Sequence, residues 1–291
     1  MRGLQDAVLP FVFASLPVRG ALIQLQQSWQ DMRQAHDYPA AVARVLGQAG
    51  AAAGLIAHSL KFDGSMTLQI NGGGPLGMLV MQCTDQLELR GMARHAADVP
   101  EDFAGLVGDA RCAITLNTAG RERPYQGIVA VNGESLTACL EDYFVRSVQV
   151  PSHLQLVADS DVAGGILLQQ MPGQATPLAA DDWNRLGFLA ATLRPEDFVA
   201  GVGVDLLRKL FSEDDLRVFD TRPLQFRCRC SQERVENMLR MLGEREVLSV
   251  LEERGDVEVT CEYCGNQRRL DAVDVSRVFA DLSAPGSESV H

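Results

Sequence analysis

The sequence predicts an α+β protein in three parts. An N-terminal domain of mixed helix and mostly antiparallel sheet spans 1–175, a helical linker spans 176–226, and a small C-terminal module spans 227–291. Three observations predict this. In the first part, short alternating or apolar runs bounded by Gly, Pro and Asn follow a long Ala-rich helical pattern. After residue 178, apolar residues recur at helical spacing. In the third part, two close cysteine pairs are separated by thirty cysteine-free residues.

Residues 1 to 20 mix apolar side chains with Pro17-Val18-Arg19-Gly20, and 21 to 35 read as helical in their second half. His36-Asp37-Tyr38-Pro39 is a break, and Pro39 suits the first turn of a helix running from Ala40 to Leu60. Strands are predicted at Ser65–Ile70, Met78–Gln82 and Leu87–Arg94. Asn71-Gly72-Gly73-Gly74-Pro75 lacks the Gly-Lys-Ser/Thr ending of a phosphate loop and reads as a turn between strands. Cys112–Leu116 and Gly127–Val131 are further strands, Asn132-Gly133 is a turn, and Ser135–Ser147 is a helix with Leu136, Cys139, Leu140, Tyr143 and Phe144 on one face. His153–Val157 and Gly165–Gln169 close the domain before a break from Pro172 to Pro177. Residues 178 to 225 read as helices with short breaks. Their stripe of Trp183, Leu186, Leu189, Leu193, Leu206, Leu207, Leu210 and Phe211 must pack on one of the two flanking domains, either permanently or conditionally.

The densest chemistry lies in Phe226-Arg227-Cys228-Arg229-Cys230-Ser231 and Cys261-Glu262-Tyr263-Cys264-Gly265-Asn266. Two close pairs in one small segment have the spacing of a tetrahedral thiolate zinc site, so Cys228, Cys230, Cys261 and Cys264 are the predicted metal ligands. The competing reading is four structural cysteines or two static disulfides. Arg227 and Arg229 flank the first pair, and a predicted helix from Ser231 to Leu239 begins just after Cys230; both features favour thiolate. Gly265 can adopt a left-handed turn that aims amides at sulfur. Cys83, Cys112 and Cys139 lie in apolar elements and read as buried small hydrophobes. His36, His58, His95 and His153 are scattered without ligand spacing, and His291 is terminal. No nucleophile–base–acid arrangement is legible, and no enzyme activity is expected.

Composition narrows the function. The 46% hydrophobic and 22% charged content is that of an ordinary globular chain. No run approaches the roughly 18 apolar residues of a membrane span, and the N-terminus lacks the basic head and apolar core of a signal peptide. These features predict a cytoplasmic protein, where clustered cysteines more often hold metal than form permanent disulfides. The formal net charge is −12, and residues 227–291 carry nine Arg against thirteen Asp or Glu, which opposes nucleic-acid binding by the cysteine module. A zinc-ribbon nucleic-acid-binding or regulatory protein is therefore the alternative reading. A thiol–disulfide oxidoreductase is a third, weakened because this Cys-x-x-Cys follows the strand-like Val257–Thr260 rather than opening a helix.

The chain resembles the bacterial 33-kilodalton heat-shock chaperonin family of redox-regulated holdases over nearly its whole length. The resemblance rests on Val18-Arg19-Gly20, His36-Asp37-Tyr38-Pro39, Leu60-Lys61-Phe62-Asp63-Gly64, Arg90-Gly91-Met92-Ala93-Arg94, Tyr125-Gln126-Gly127 and Leu140-Glu141-Asp142-Tyr143-Phe144-Val145-Arg146-Ser147. Ala163-Gly164-Gly165, Gln170-Met171-Pro172 and both cysteine pairs also match, with no departure at the four cysteines. The resemblance implies an ATP-independent cytoplasmic chaperone that is inactive while four thiolates hold one zinc ion. Oxidation, helped by heat or unfolding stress, would form redox-active disulfides within each pair, Cys228 with Cys230 and Cys261 with Cys264. Zinc would leave, the linker and C-terminal module would unfold, and the protein would dimerise and bind unfolding clients. No membrane partner is implied.

Overall fold

A computed structural model describes residues 5–121, 123–131, 134–172, 178–200 and 203–283. The predicted Asn132-Gly133 turn, most of the break that follows Pro172, the boundary at 175 and His291 lie outside the described residues. The chain divides into two compact units, Met1–Arg227 and Cys228–His291.

In chain order the first unit contains β1 (Ala7–Phe13), β2 (Val18–Leu25), α1 (Gln27–Gln34), α2 (Ala40–Ser59), β3 (Gly64–Gly72), β4 (Leu76–Thr84), β5 (Glu88–His95), α3 (Phe103–Val107), β6 (Ala110–Thr118), β7 (Tyr125–Val131) and α4 (Leu136–Tyr143). After α4 a π-helical turn covers Phe144–Val148. There follow β8 (Ser152–Ala158), β9 (Ala163–Gln170), α5 (Ala180–Ala191), α6 (Pro195–Ala200), α7 (Val204–Leu210), β10 (Leu216–Val218), β11 (Arg222–Pro223) and β12 (Gln225–Phe226). The second unit contains α8 (Gln232–Leu242), α9 (Glu244–Arg254), β13 (Val257–Thr260), β14 (Gln267–Leu270) and α10 (Ala272–Ser283).

Two six-stranded sheets enclose α2. One has the order β10-β1-β2-β9-β8, with β11 also on β1; the other runs β12-β5-β4-β3-β6-β7. Every pairing is antiparallel except β12 on β5. Helix α2 packs on β2, β8 and β9 of the first sheet and on β3, β4 and β5 of the second. Its small residues permit that approach. A Cβ on Gly47 would stand 2.7 Å from the Cβ of Ala158, closer than packed carbons come. The helix also amends one sequence expectation. Ala40–Ser59 is long and apolar enough to cross a membrane, yet 83% of its most apolar window is buried inside this unit, as befits a core helix.

The two sheets differ in what their sequences reveal. The second has one covered face, where Met66, Leu68, Ile70, Leu79, Met81 and Cys83 join the α2 core. Its strands β3 to β7 were predictable, β3 and β5 from alternation and β4 as a short apolar run. The first is covered on both faces. Val8, Ala21, Ile23 and Leu167 point to the α2 core, while Leu9, Phe11, Phe13, Leu22, Ile166 and Leu168 form a second core with the segment after residue 178. Strand β1 therefore reads as an unbroken apolar run, and β1 and β2 occupy residues that the sequence leaves unassigned, while the helix expected in the second half of 21–35 forms as α1.

The predicted stripe lies in that second core. Leu186, Leu193, Leu206, Leu207 and Phe211 are buried there, with Trp183, Leu189 and Leu210 packed at its margin. Arg185 clamps the segment internally through two 2.8 Å bonds to Asp214. Beyond α7 the expectation of helix fails. Residues 216–226 form β10, β11 and β12, which complete the edges of both sheets. Strands of two or three residues exist only through the neighbours they pair with, so no local pattern announces them. Helices α3, α9 and α10 and strand β14 are additions to the predicted elements.

The second unit has a small core of its own: Leu239, Val247, Val257, Leu270, Val275, Val278 and Phe279. Ser231 caps α8 by accepting the Arg234 amide at 3.2 Å, and β13 pairs with β14 in register from Val257–Leu270 to Thr260–Gln267.

Candidate metal centre

The four predicted ligands arrive from two elements of the second unit. Cys228 and Cys230 lie on the extended stretch that ends at the Ser231 cap, and Cys261 and Cys264 form the turn between β13 and β14. The Cys261 amide donates to the Asn266 carbonyl at 3.0 Å and the Gly265 amide to the Cys261 carbonyl at 2.8 Å. Gly265 sits at φ 66°, the left-handed geometry that lets the turn close. The amides of Tyr263 and Cys264 are thereby aimed at the Cys261 sulfur, and that of Asn266 at the Cys264 sulfur.

The fold brings all four Sγ atoms within 4.8 Å of one another. The Cys228 and Cys261 sulfurs are 3.6 Å apart and the Cys230 and Cys264 sulfurs 3.5 Å apart. Thiolates 2.3 Å from a central zinc ion would be separated by about 3.8 Å along each tetrahedral edge. The cluster fits a four-coordinate metal. It is drawn together partly by contacts that sequence spacing does not reveal: Arg268 on β14 donates to Gln232 at the start of α8 at 3.0 Å, bridging the two cysteine-bearing elements.

The electrostatics correct one expectation. Protein groups alone push Cys230 above its ordinary pKa, first through burial and then through the neighbouring Cys228 and Cys261 sulfurs. Cys264 is pushed far up for the same reasons. Burial acts to raise Cys261 as well, but the Tyr263 and Cys264 amides and the Cys228 thiol bring it below its ordinary value. The turn, rather than the helix start beside Cys230, supplies the thiolate-stabilising dipoles. The first free amides of α8 are partly taken by Ser231, and Arg227 is engaged by Glu88. Four thiolates this close repel one another, and a divalent cation among them supplies the charge that lets all four ionise.

The Hsp33 protein family model matches residues 6–271. The chain belongs to the Hsp33 protein family. Relatives named 33 kDa chaperonin are 40% identical in Nitrosococcus oceani and 38% in Methylobacillus flagellatus, each match covering 99% of both chains. The 33 kDa chaperonin of Escherichia coli is 36% identical over 98% of this chain and 99% of its own. The crystal structure of the 33 kDa chaperonin of Thermotoga maritima matches with a TM-score of 0.82 over 96% of this chain and 99% of that one; at 22% identity this is a likeness of fold.

The three remaining cysteines stand apart from the Hsp33 cluster. Cys83, Cys112 and Cys139 are buried in the first unit. Burial pushes the Cys83 and Cys112 thiols up to about 12, leaving almost no nucleophilic thiolate at neutral pH. Alkylation of native, chelator-treated protein is expected to modify Cys228, Cys230, Cys261 and Cys264 and to spare the other three until the chain is denatured. Mass mapping reads the outcome, and rapid native labelling of Cys83, Cys112 or Cys139 would contradict it.

Proposed function

We propose that the chain is a redox-regulated, ATP-independent holdase of the cytoplasm. It binds unfolding proteins stoichiometrically and without turnover under oxidative stress, with no nucleic-acid or membrane partner. One zinc ion held by Cys228, Cys230, Cys261 and Cys264 keeps it at rest. The observation that carries this reading is the convergence of four thiols in a unit whose own core has, among the described residues, seven buried apolar side chains. A core of that size supplies no more than about 3–5 kcal/mol, whereas structural zinc contributes about 10–16 kcal/mol in small modules. Whether the unit folds is therefore set by the state of its sulfurs.

Oxidation removes the ligands. Each pair of thiolates gives two electrons to a peroxide, forms one S–S bond, and releases two water molecules after two protons are taken up. Both pairs together consume two peroxides. Disulfide sulfur carries no charge to hold zinc, and a loop of so few residues returns little stability. Close sulfur contacts in the folded cluster also run across the pairs, at 3.6 and 3.5 Å, so distance in that state does not select the partners. Once the cluster opens, chain separation selects them: partners two or three residues apart meet far more often than partners more than thirty apart. We therefore assign the disulfides to Cys228–Cys230 and Cys261–Cys264.

Unfolding of the second unit then passes along the backbone to β12, which joins it through Arg227. A short parallel bridge to β5, the Phe226 amide on Ser28 Oγ at 2.9 Å, the Arg227–Glu88 pair and the packing of Phe226 against the α2 core hold that end. Release of residues 178–226 would uncover the second core on both sides for clients and for dimerisation.

Peroxide treatment with parallel measurement of zinc, disulfide linkages and aggregation suppression tests the scheme. One zinc per chain is expected before oxidation and none after, with 228–230 and 261–264 linkages and the appearance of holdase activity. Full activity with zinc retained, or predominant 228–264 linkage, would sink it.

A further inference from the structure

A cavity of about 160 Å³ opens between the C-terminal end of α2 and strands β1, β2 and β9 of the first unit. Its walls are mainly apolar: Pro10, Val12, Ala21, Leu167 and Phe219. Its polar lining is Arg19 on β2, His58 and Ser59 at the end of α2, and Gln169 on β9. The volume matches that of cavities that accept a benzene-sized group, about 150 Å³.

The polar groups here are under-used. The Arg19 guanidinium donates to the neutral amide oxygen of Gln169 at 2.9 Å, and Arg222, beyond His58, donates to the Asp85 carbonyl at 2.9 Å. Among the described residues neither arginine has a carboxylate within ion-pair distance, although the chain carries a net charge of −12. His58 lies in the field of both. Burial first, then Arg222 and Arg19, holds its pKa down at about 4, so it is neutral at physiological pH. Its Nδ1 is buried without a hydrogen-bond partner, a cost that a protein ordinarily avoids and a ligand can relieve. The two guanidinium groups also offset the negative carbonyl end of α2, which would otherwise oppose an anion.

We propose that this cavity binds a small organic anion, a carboxylate or phosphate monoester bearing an apolar body of about six carbons. The apolar body fills the space between Val12, Ala21, Leu167 and Phe219, the anionic head pairs with Arg19, and the neutral His58 imidazole, as its Nδ1–H tautomer, donates a hydrogen bond to the head. The site is built wholly from residues of the first unit and uses none of the four clustered cysteines, so its test on the reduced protein is independent of the redox reading.

The test is titration of the reduced full-length protein with hexanoate and with hexyl phosphate, followed by calorimetry and by methyl shifts in NMR. Hexanol, acetate and inorganic phosphate serve as controls that lack either the charge or the apolar body. Saturable binding of hexanoate, hexyl phosphate or both is expected, and which of them binds more tightly identifies the head group. The controls are expected to bind about tenfold more weakly or worse, as is the R19Q variant. The V12F variant, which fills the cavity from a half-exposed position, is expected to lose binding. Circular dichroism checks that both variants fold, and if either does not, the ligand series on the unaltered protein still decides. Absence of saturation with both probes, equal affinity for hexanol and hexanoate, or unchanged affinity in folded R19Q and V12F would overturn the proposal.

Discussion

Replacing Cys264 by serine (C264S) is expected to strip the chain of its metal and unfold the second unit. Serine is nearly isosteric but is not a thiolate at neutral pH, so it removes one ligand and one compensating charge from a four-ligand set. The seven buried side chains around Leu239 and Phe279 cannot replace a contribution of about 10–16 kcal/mol. Hydrogen exchange in residues 228–283 is expected to rise to the rate of an unstructured chain, while β3 to β6 stay protected by the α2 core. Zinc content should fall well below one per chain. A C264S protein that retained full zinc and native protection in α8 to α10 would show that the cluster is not what folds this unit.

Phe211→Asp carries the second large effect, because it targets the covering segment without touching sulfur. Phe211 is buried, with its ring 5.1 Å from that of Phe13 and 6.1 Å from that of Phe11. Truncating such a ring costs about 3–5 kcal/mol, and a buried carboxylate without a partner costs more. Residues 178–226 should detach while β2, β8 and β9 remain held on α2. Detachment bares Leu9, Phe11, Phe13, Leu22, Ile166 and Leu168. It also removes β10 and β11 from β1, whose unpaired backbone becomes an open edge. An apolar face beside a free strand edge suits capture of extended, unfolding chains. The reduced variant is therefore expected to suppress client aggregation without oxidant. Fast exchange in 178–226 with no gain in suppression would remove the covering role assigned to this segment.

The separation of the seven cysteines into a cluster of four and three buried apart from it was legible in the sequence. Pair spacing selected Cys228, Cys230, Cys261 and Cys264, and the apolar settings of Cys83, Cys112 and Cys139 marked them as buried. Most strands of the half-covered sheet were legible for a similar reason: in β3 and β5 one wet face imposes alternation, and alternation is a local signal. Helix α2 and the stripe from Trp183 to Phe211 followed from helical spacing.

Only the tertiary structure decided the rest. It placed that stripe on the outer face of the first sheet, a choice that period alone leaves open between two domains. It made β1 and β2 strands, because burial on both faces erases the alternation that would have revealed them. It turned residues 216–226 into edge strands, whose stability comes from backbone donors more than one hundred residues away. It assigned thiolate stabilisation to the amides of the Cys261–Asn266 turn, where sequence had favoured the helix after Cys230, and it put the half-buried His58 in the field of Arg222 and Arg19. Sequence by itself determined which cysteines come together, because residue type and short spacing are local. Their partners, burial and fields belong to contacts between distant segments, which exist only once the chain has folded.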